Sequence, residues 1–182
     1  MFMLTRYSVA LACWILWMIP FFRKAAEPRQ NPVARDSSAR WGMILEAISY
    51  LLLWAVPATD VPWWRIALAL VFAVIGIVTA WLAVSHLGKQ WRVDAALNAD
   101  HALVRSGPYT IVRHPIYASM FAMLLASGFM LTQWQLIVVG IAIFVAGTEI
   151  RVRAEDRLLR SRFGDEFEAY AGRLPAYVPF VR

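Results

Sequence analysis

Two short constellations in this chain carry side chains able to hold a polar ligand and move charge. The first is Arg105 to Tyr117, Arg-Ser-Gly-Pro-Tyr-Thr-Ile-Val-Arg-His-Pro-Ile-Tyr. Pro115 suits the first turn of a helix, where its missing N–H is no loss, and it pushes His114 towards an extended conformation. Arg113 and His114 are thereby predicted at the mouth of a helix. Unpaired N–H groups and the positive end of the helix dipole there favour an anionic or polar group. The second constellation is Arg151 and Glu155, four residues apart, with Glu149 and Arg153 at the same spacing. Each pair shares one helix face. Both constellations have plain alternatives. One is an interfacial loop with snorkelling basic side chains. The other is ordinary i,i+4 ion pairing, worth about 0.2–0.5 kcal/mol per pair. A zinc site fits poorly: His86, His101 and His114 are spaced by 15 and 13 residues, and the lone Cys13 excludes a cysteine-based site.

The elements that must position these residues are strongly apolar. The chain has 182 residues, one domain-sized unit, of which 60% are hydrophobic and only 16% charged, with 9 Trp and 10 Phe. That composition points to an integral membrane protein. Five apolar runs are expected to span the bilayer: Tyr7 to Phe22, Trp41 to Val56, Trp63 to about Ser85, Pro115 to Leu131, and Trp134 to about Ile150. The first has only Arg6 before it and no small-x-small cleavage site after it, so it reads as a retained span. Arg23 to Arg40, with Pro28 and Pro32, reads as a loop. Glu46 lies five residues into the second run and is expected at the interface, since a charge at membrane depth is costly. Thr132 and Gln133 make a tight turn, so the fourth and fifth runs form a hairpin. Ala118, Ala122 and Ala126 give the fourth a small-residue face for close packing. These two runs are short for a core of about 30 Å, so shielding by neighbouring helices is expected.

A net charge of +6 does not indicate nucleic acid here, because the basic residues are segregated between apolar runs. Sixteen of the 18 Lys and Arg fall in the first loop, the Leu87–His114 loop and the tail, leaving Arg6 and Arg65 on the other side. That asymmetry predicts the N-terminus outside and the C-terminus in the cytoplasm. Trp54, Trp63, Trp64 and Trp134 then fall at the outer interface and Trp41 at the inner one. In the tail, Leu159, Phe163, Phe167 and Tyr170 repeat at helical spacing opposite many charges, as in a membrane-surface amphipathic helix, with a break at Gly164. Arg173 to Pro179 reads as an extended, proline-fixed closing segment. The hairpin returns the chain to the side it left, which makes Arg113-His114 and the start of the tail spatial neighbours.

The ordered set Leu87-Gly-Lys-Gln-Trp, His101-Ala-Leu-Val, Gly107-Pro-Tyr and Arg113-His-Pro-Ile-Tyr resembles the signature of the isoprenylcysteine carboxyl methyltransferase family. Arg151-Val-Arg-Ala-Glu-Asp-Arg-Leu-Leu, Phe163-Gly, Tyr170 and Leu174-Pro-Ala-Tyr-Val-Pro extend the likeness through the tail. It covers roughly residues 87–182, which would be a catalytic region including a hairpin at 115–150, with residues 1–86 supplying three N-terminal spans. The resemblance implies a polytopic membrane enzyme, which with the five apolar runs gives an all-α bundle of five transmembrane helices, expected in the cell's inner membrane. S-adenosylmethionine would bind on the cytoplasmic side and a lipophilic or prenylated acceptor would enter from the bilayer. By matching positions, His101, Ala102, Leu103, Val104, Tyr109, His114, Pro115, Ile116, Tyr117 and Glu155 would line the cofactor pocket. Arg151 would face the substrate, and Arg151 and His114 would be catalytic. Two departures stand out: Asp156 replaces a usual second Glu, and Ser119 replaces a Gly that often follows the Tyr.

The physical chemistry is compatible. No Gly-x-Gly-x-x-Gly is present, so a Rossmann pocket is not expected and loop backbone and aromatics would wrap the cofactor. In-line displacement at a sulfonium carbon demands alignment above all. A carboxylate acceptor needs only positioning, which Arg151 could supply. A thiol or amine acceptor must lose a proton, to which His114 or Glu155 could contribute. Carboxyl, thiol, amine and phospholipid acceptors stay open. Two rival readings remain at this stage: a membrane reductase using a nicotinamide cofactor, as in sterol reductases, and a non-enzymatic membrane protein such as a transporter subunit.

Overall fold

A computed structural model describes residues 2–26, 32–98 and 100–178. Pro28 and Arg29 of the first loop, Pro179 of the closing segment and Arg182 of the tail lie outside the described residues. Among the described residues six α-helices carry the fold: α1 (Phe2–Ala25), α2 (Ala39–Ala55), α3 (Trp63–Leu87), α4 (Pro115–Leu131), α5 (Trp134–Phe163) and α6 (Asp165–Ala171). The chain is thus mostly helical, but the all-α expectation needs a small amendment. Strands β1 (Ala34–Arg35) and β2 (Ala96–Leu97) pair antiparallel, with Ala34 opposite Leu97 and Arg35 opposite Ala96.

Helices α1, α3 and α5 are long and apolar enough to cross a membrane, whereas α2 and α4 have 17 residues each. The fifth span was expected to end near Ile150, with a separate tail helix after it. Instead α5 runs 30 residues without a break, about 45 Å, until Gly164. Gly164 adopts φ 50°, a left-handed conformation that favours glycine, and its N–H closes on the Arg160 carbonyl at 2.9 Å. The expected break is therefore at Gly164, and the hairpin 115–150 is the lower part of a longer arm.

The closest helix pairings are α3 with α4 and α2 with α5, with α4 and α5 less intimately packed on each other. Glycine sets these approaches. A Cβ on Gly147 would lie 2.7 Å from the Gly42 carbonyl oxygen, and one on Gly42 would strike the Gly147 carbonyl in return. A Cβ on Gly76 would lie 3.0 Å from the Ser119 carbonyl oxygen, where α3 meets α4. Small residues at such crossings let backbones come together where apolar burial gives no drive. Ala122 and Ala126 are buried and Ala118 half-buried on the expected small face of α4. Ser119 is fully buried, donating to the Ile116 carbonyl at 2.7 Å and accepting from the Trp17 indole at 3.3 Å.

Large exposed apolar side chains lie along α1, α2, α3 and α5, among them Ile15, Leu51, Val74 and Val138, and none lies on α4. The short α4 is thus sheathed by its neighbours. The two ends of the bundle differ. At one end Arg6 donates to the Ala58 carbonyl at 2.9 Å and Arg65 to the Gly128 carbonyl at 3.0 Å, next to the exposed Trp63, Trp64 and Trp134. Trp54 is half-buried there and its carbonyl accepts from Tyr7 at 2.9 Å. At the other end β1, β2 and the tail converge, with Asp36 accepting from Arg157 at 2.7 Å and Arg35 pairing with Asp94 at 3.1 Å. The three basic-rich polar segments of the sequence therefore gather at one end.

Candidate active site

At that polar end a cavity of about 380 Å³ opens between the foot of α1, the 87–114 loop, the start of α4, the C-terminal arm of α5 and α6. His114 lines it. It is the N-cap of α4, with φ −125° and ψ 67°, the non-helical geometry that Pro115 imposes. Pro115 itself is buried in the first turn and does not line the cavity. The N–H groups of Arg113 and His114 donate to the Pro175 and Ala176 carbonyls at 3.0 and 2.8 Å. The closing segment is thus zipped to the helix mouth.

The anion expected at that mouth is supplied by the protein. His114 Nε2 lies 2.8 Å from Asp156 Oδ1, and Nδ1 lies 3.3 Å from Glu155 Oε2. Burial alone lowers a histidine pKa, but the two carboxylates outweigh it and push His114 up to about 9. Its imidazolium is therefore charged at neutral pH with both ring nitrogens engaged. Arg113 completes the cluster. It donates to Asp156 Oδ2 at 3.2 Å and to the Leu174 and Ala171 carbonyls at 2.6 and 3.1 Å. Asp156, noticed in the sequence only as a departure, thus joins the helix mouth, α5 and the tail. Its shorter side chain reaches both partners, which a sequence comparison does not reveal.

Tyr117, in the first turn of α4, donates to Glu155 Oε1 and presents its ring to Arg151, whose guanidinium carbon is 4.8 Å from the ring centroid. Arg151 and Glu155 share a face of α5 as expected, but Arg151 is not paired along the helix. It reaches across to Glu46 Oε2 at 2.7 Å and to the Val93 carbonyl at 3.0 Å. Glu46 is only 3% exposed and also accepts from the Thr148 hydroxyl at 3.0 Å. Glu46, expected at the interface, is thus buried and ion-paired in the wall behind Arg151. The expected Glu149–Arg153 pair is present at 3.5 Å on the exposed side, as ordinary helical pairing.

The remaining expected residues line the same space. His101, Ala102, Leu103 and Val104 form one wall, with His101 Nδ1 buried and without a partner among the described residues. Burial lowers the His101 pKa, so that ring is neutral. Tyr109 is buried, and its carbonyl accepts from the Tyr170 hydroxyl at 2.7 Å. Ile116 lies on the apolar side. The apolar face of the tail, split by Gly164 between α5 and α6, covers this cavity: Leu159, Phe167 and Tyr170 line it and Phe167 is fully buried. The sequence reading missed α1, whose Trp17, Met18, Phe21 and Phe22 form the apolar end beside Met120. Nothing in a generic apolar run marks those positions. Among the described residues no three His, Cys, Asp or Glu side chains stand together as a metal site.

Chemically, one cavity joins an aromatic and aliphatic chamber to a set of fixed opposite charges: Arg151, Arg113 and His114 facing Glu46, Glu155 and Asp156. The model of the isoprenylcysteine carboxyl methyltransferase (ICMT) family matches residues 67–161. The chain is 27% identical over 156 residues to a nickel-cobalt-cadmium resistance protein of Alcaligenes xylosoxydans xylosoxydans, covering 85% of this chain and 70% of the relative. It is 29% identical over 146 residues to protein-S-isoprenylcysteine O-methyltransferase B of Arabidopsis thaliana, covering 76% and 70%. It is 30% identical over 105 residues to protein-S-isoprenylcysteine O-methyltransferase of Schizosaccharomyces pombe, covering 58% of this chain and 42% of that relative's length.

Proposed function

The chain belongs to the isoprenylcysteine carboxyl methyltransferase family, and we propose that it is an integral membrane methyltransferase using S-adenosylmethionine on a lipophilic acceptor. The observation that carries this reading is the single cavity whose charged end holds His101, His114, Glu155 and Arg151 while its apolar end is built from α1 and α4. Relatives named as methyltransferases favour group transfer over a nicotinamide-dependent reductase or a non-enzymatic role.

The fit to the cofactor rests on the cavity's volume, within the usual range of ligand sites, and on His101, a lining residue whose buried Nδ1 has no partner among the described residues. His101, Leu103, Val104, Tyr109 and Tyr117 would hold it, with Glu155 accepting hydrogen bonds. When bound, S-adenosylmethionine supplies an electrophilic methyl carbon. Arg151 orients the acceptor: Glu46, Val93 and the Tyr117 ring fix its guanidinium before any ligand arrives, which is the preorganisation an in-line transfer needs. A carboxylate acceptor suits that arrangement best, because it needs alignment and no proton removal. His114, charged and held at both nitrogens, acts as the fixed post that positions Glu155 rather than as a proton acceptor. The apolar side chains of α1 receive a hydrocarbon chain from the bilayer. The full reading has five spans in the cell's inner membrane, the N-terminus outside and the site at the cytoplasmic end, because the basic residues gather there.

The test is titration of the purified full chain in detergent with S-adenosylhomocysteine and with NADPH, followed by transfer of labelled methyl from S-adenosylmethionine to a membrane lipid extract. Binding of the first and label in the lipid fraction are expected. Binding of NADPH without S-adenosylhomocysteine would overturn the reading in favour of a reductase.

A further inference from the structure

Gln90 ends the short 3₁₀ turn Gly88–Gln90 at the foot of α3, and its side chain lines the cavity while only 7% of the residue is exposed. Its amide nitrogen points at the Asp100 carbonyl oxygen, 3.5 Å away. That carbonyl fixes which way the amide lies, since the reverse orientation would set two acceptor oxygens against each other. The free end is therefore Oε1, which is buried and has no partner among the described residues. Neighbouring side chains are committed elsewhere: Lys89 to Asp100 at 2.5 Å, and Arg92 to Asp94 and Asn98 at 3.2 and 3.0 Å. A buried acceptor without a donor, on a residue that lines a cavity, is costly, and such groups mark places where a ligand donates.

Resting on the methyltransferase reading, we infer that Gln90 is a recognition residue of the cofactor cavity, its Oε1 accepting a hydrogen bond from an N–H of the bound nucleoside–amino acid. S-adenosylmethionine and its product carry N–H donors at two places, the 6-amino group of adenine and the ammonium of the amino acid. A neutral amide acceptor discriminates: it rewards an N–H and repels an oxygen placed at the same point. A group lacking the donor leaves the acceptor desolvated and alone, the kind of contact that yields selectivity. Trp91, next in the chain, is buried and packs its ring 5.8 Å from Phe21 of α1, so the turn that carries Gln90 is anchored.

The experiment needs no acceptor. The full chain in detergent, as wild type, Gln90→Met and Gln90→Leu, is titrated with S-adenosylhomocysteine, S-inosylhomocysteine and 5′-methylthioadenosine, with thermal unfolding of each variant as the folding control. Gln90→Met is close to isosteric and keeps the test open if Gln90→Leu fails to fold. Weakening of S-adenosylhomocysteine by about 5- to 30-fold in the variants is expected. If the adenine amino group is the donor, 5′-methylthioadenosine weakens likewise and S-inosylhomocysteine does not. If the ammonium is the donor, both homocysteine ligands weaken and 5′-methylthioadenosine is unaffected. Unchanged affinity for S-adenosylhomocysteine, or equal weakening of all three ligands, overturns the assignment. Failure of the wild type to bind S-adenosylhomocysteine is a different result, and brings down the methyltransferase reading itself.

Discussion

Arg151 and Glu46 meet at 2.7 Å with side chains only 11% and 3% exposed, one turn from the point where Gly42 and Gly147 bring α2 and α5 into backbone contact. The pair thus serves two purposes at once: it closes the α2–α5 crossing and it aims a guanidinium at the cavity. Removing one partner strands a buried charge, which costs about 3–5 kcal/mol. Glu46→Leu and Arg151→Leu are each expected to destabilise the chain by that order. The double variant should lose less than the two singles added, because neither charge is left alone. Denaturant titration of all three in mixed micelles checks this. Strict additivity would show that the two side chains do not act as a pair.

Because Arg151 has this structural share, its catalytic share is best read from Arg151→Lys, which keeps the charge opposite Glu46 and loses the planar fork. S-adenosylhomocysteine affinity should stay near wild type while methyl transfer falls roughly 30- to 1000-fold. Glu155→Gln should do the reverse and raise the dissociation constant for the cofactor. Titration followed by label transfer separates the two. Equal losses of cofactor binding in both variants would overturn the division of labour between Arg151 and Glu155.

The residues at the helix mouth were legible because Pro115 dictates local geometry regardless of fold. The break at Gly164 was legible for a similar local reason. What connects distant segments was not. Glu46 pairs with a residue 105 positions away, and no spacing in one apolar helix announces such a partner. The helix outruns the expected fifth span because Arg151, Arg153, Glu155 and Asp156 interrupt the hydropathy without interrupting the helix. Intrinsic propensity for helix is high in that charged stretch, so α5 continues out of the apolar region as a cantilever under the site. The α1 contribution was hidden because lipid-facing and cavity-facing aromatics are chemically alike.

Asp156 holds together segments that the sequence separates: the Arg113-His114 couple and, through Arg113, the carbonyls of Ala171 and Leu174. Asp156→Ala should therefore loosen the segment from Ala171 to Val178. Faster amide hydrogen exchange is expected there and at Arg113 and His114, whose N–H groups donate to it, with the α3–α4 core unchanged. Cofactor affinity should fall as well, since Tyr170 holds the Tyr109 carbonyl at 2.7 Å from the adjoining α6. Exchange rates at those positions equal to wild type would show that the backbone ladder alone holds the tail.

The sidedness of the chain can be read directly. Reporter fusions after Phe22, Pro57, Leu97, Gln133 and Arg182 should alternate in, out, in, out, in, following the basic residues. The Pro57 and Gln133 fusions must agree with each other, because Ala58 N–H bonds to the Leu131 carbonyl at 2.8 Å and ties those two turns together. A cytoplasmic signal at Gln133 would overturn both the orientation and the hairpin.

His114 gives the chain a defined pH dependence. Its folded-state pKa is raised to about 9 from an ordinary value of 6.5 because Asp156 and Glu155 outweigh the opposing effect of burial. The groups facing it are those two carboxylates on α5, Arg113 beside it and the neutral Tyr117 ring 5.7 Å away. A raised pKa means that the folded state binds the proton more tightly than the unfolded chain. The stabilisation is then fully present below about pH 6.5 and is lost as pH rises through about 9. Its size is on the order of 3 kcal/mol, from the linkage between a pKa change and free energy. Stability in detergent should therefore fall between roughly pH 6.5 and 9, and His114→Gln should flatten that fall while lowering the plateau below it. Cofactor affinity should follow the same curve, because deprotonated His114 no longer pins Glu155. A wild-type profile that is level across this interval, or one that His114→Gln leaves unaltered, would show that the imidazole does not carry the charge its two carboxylates demand.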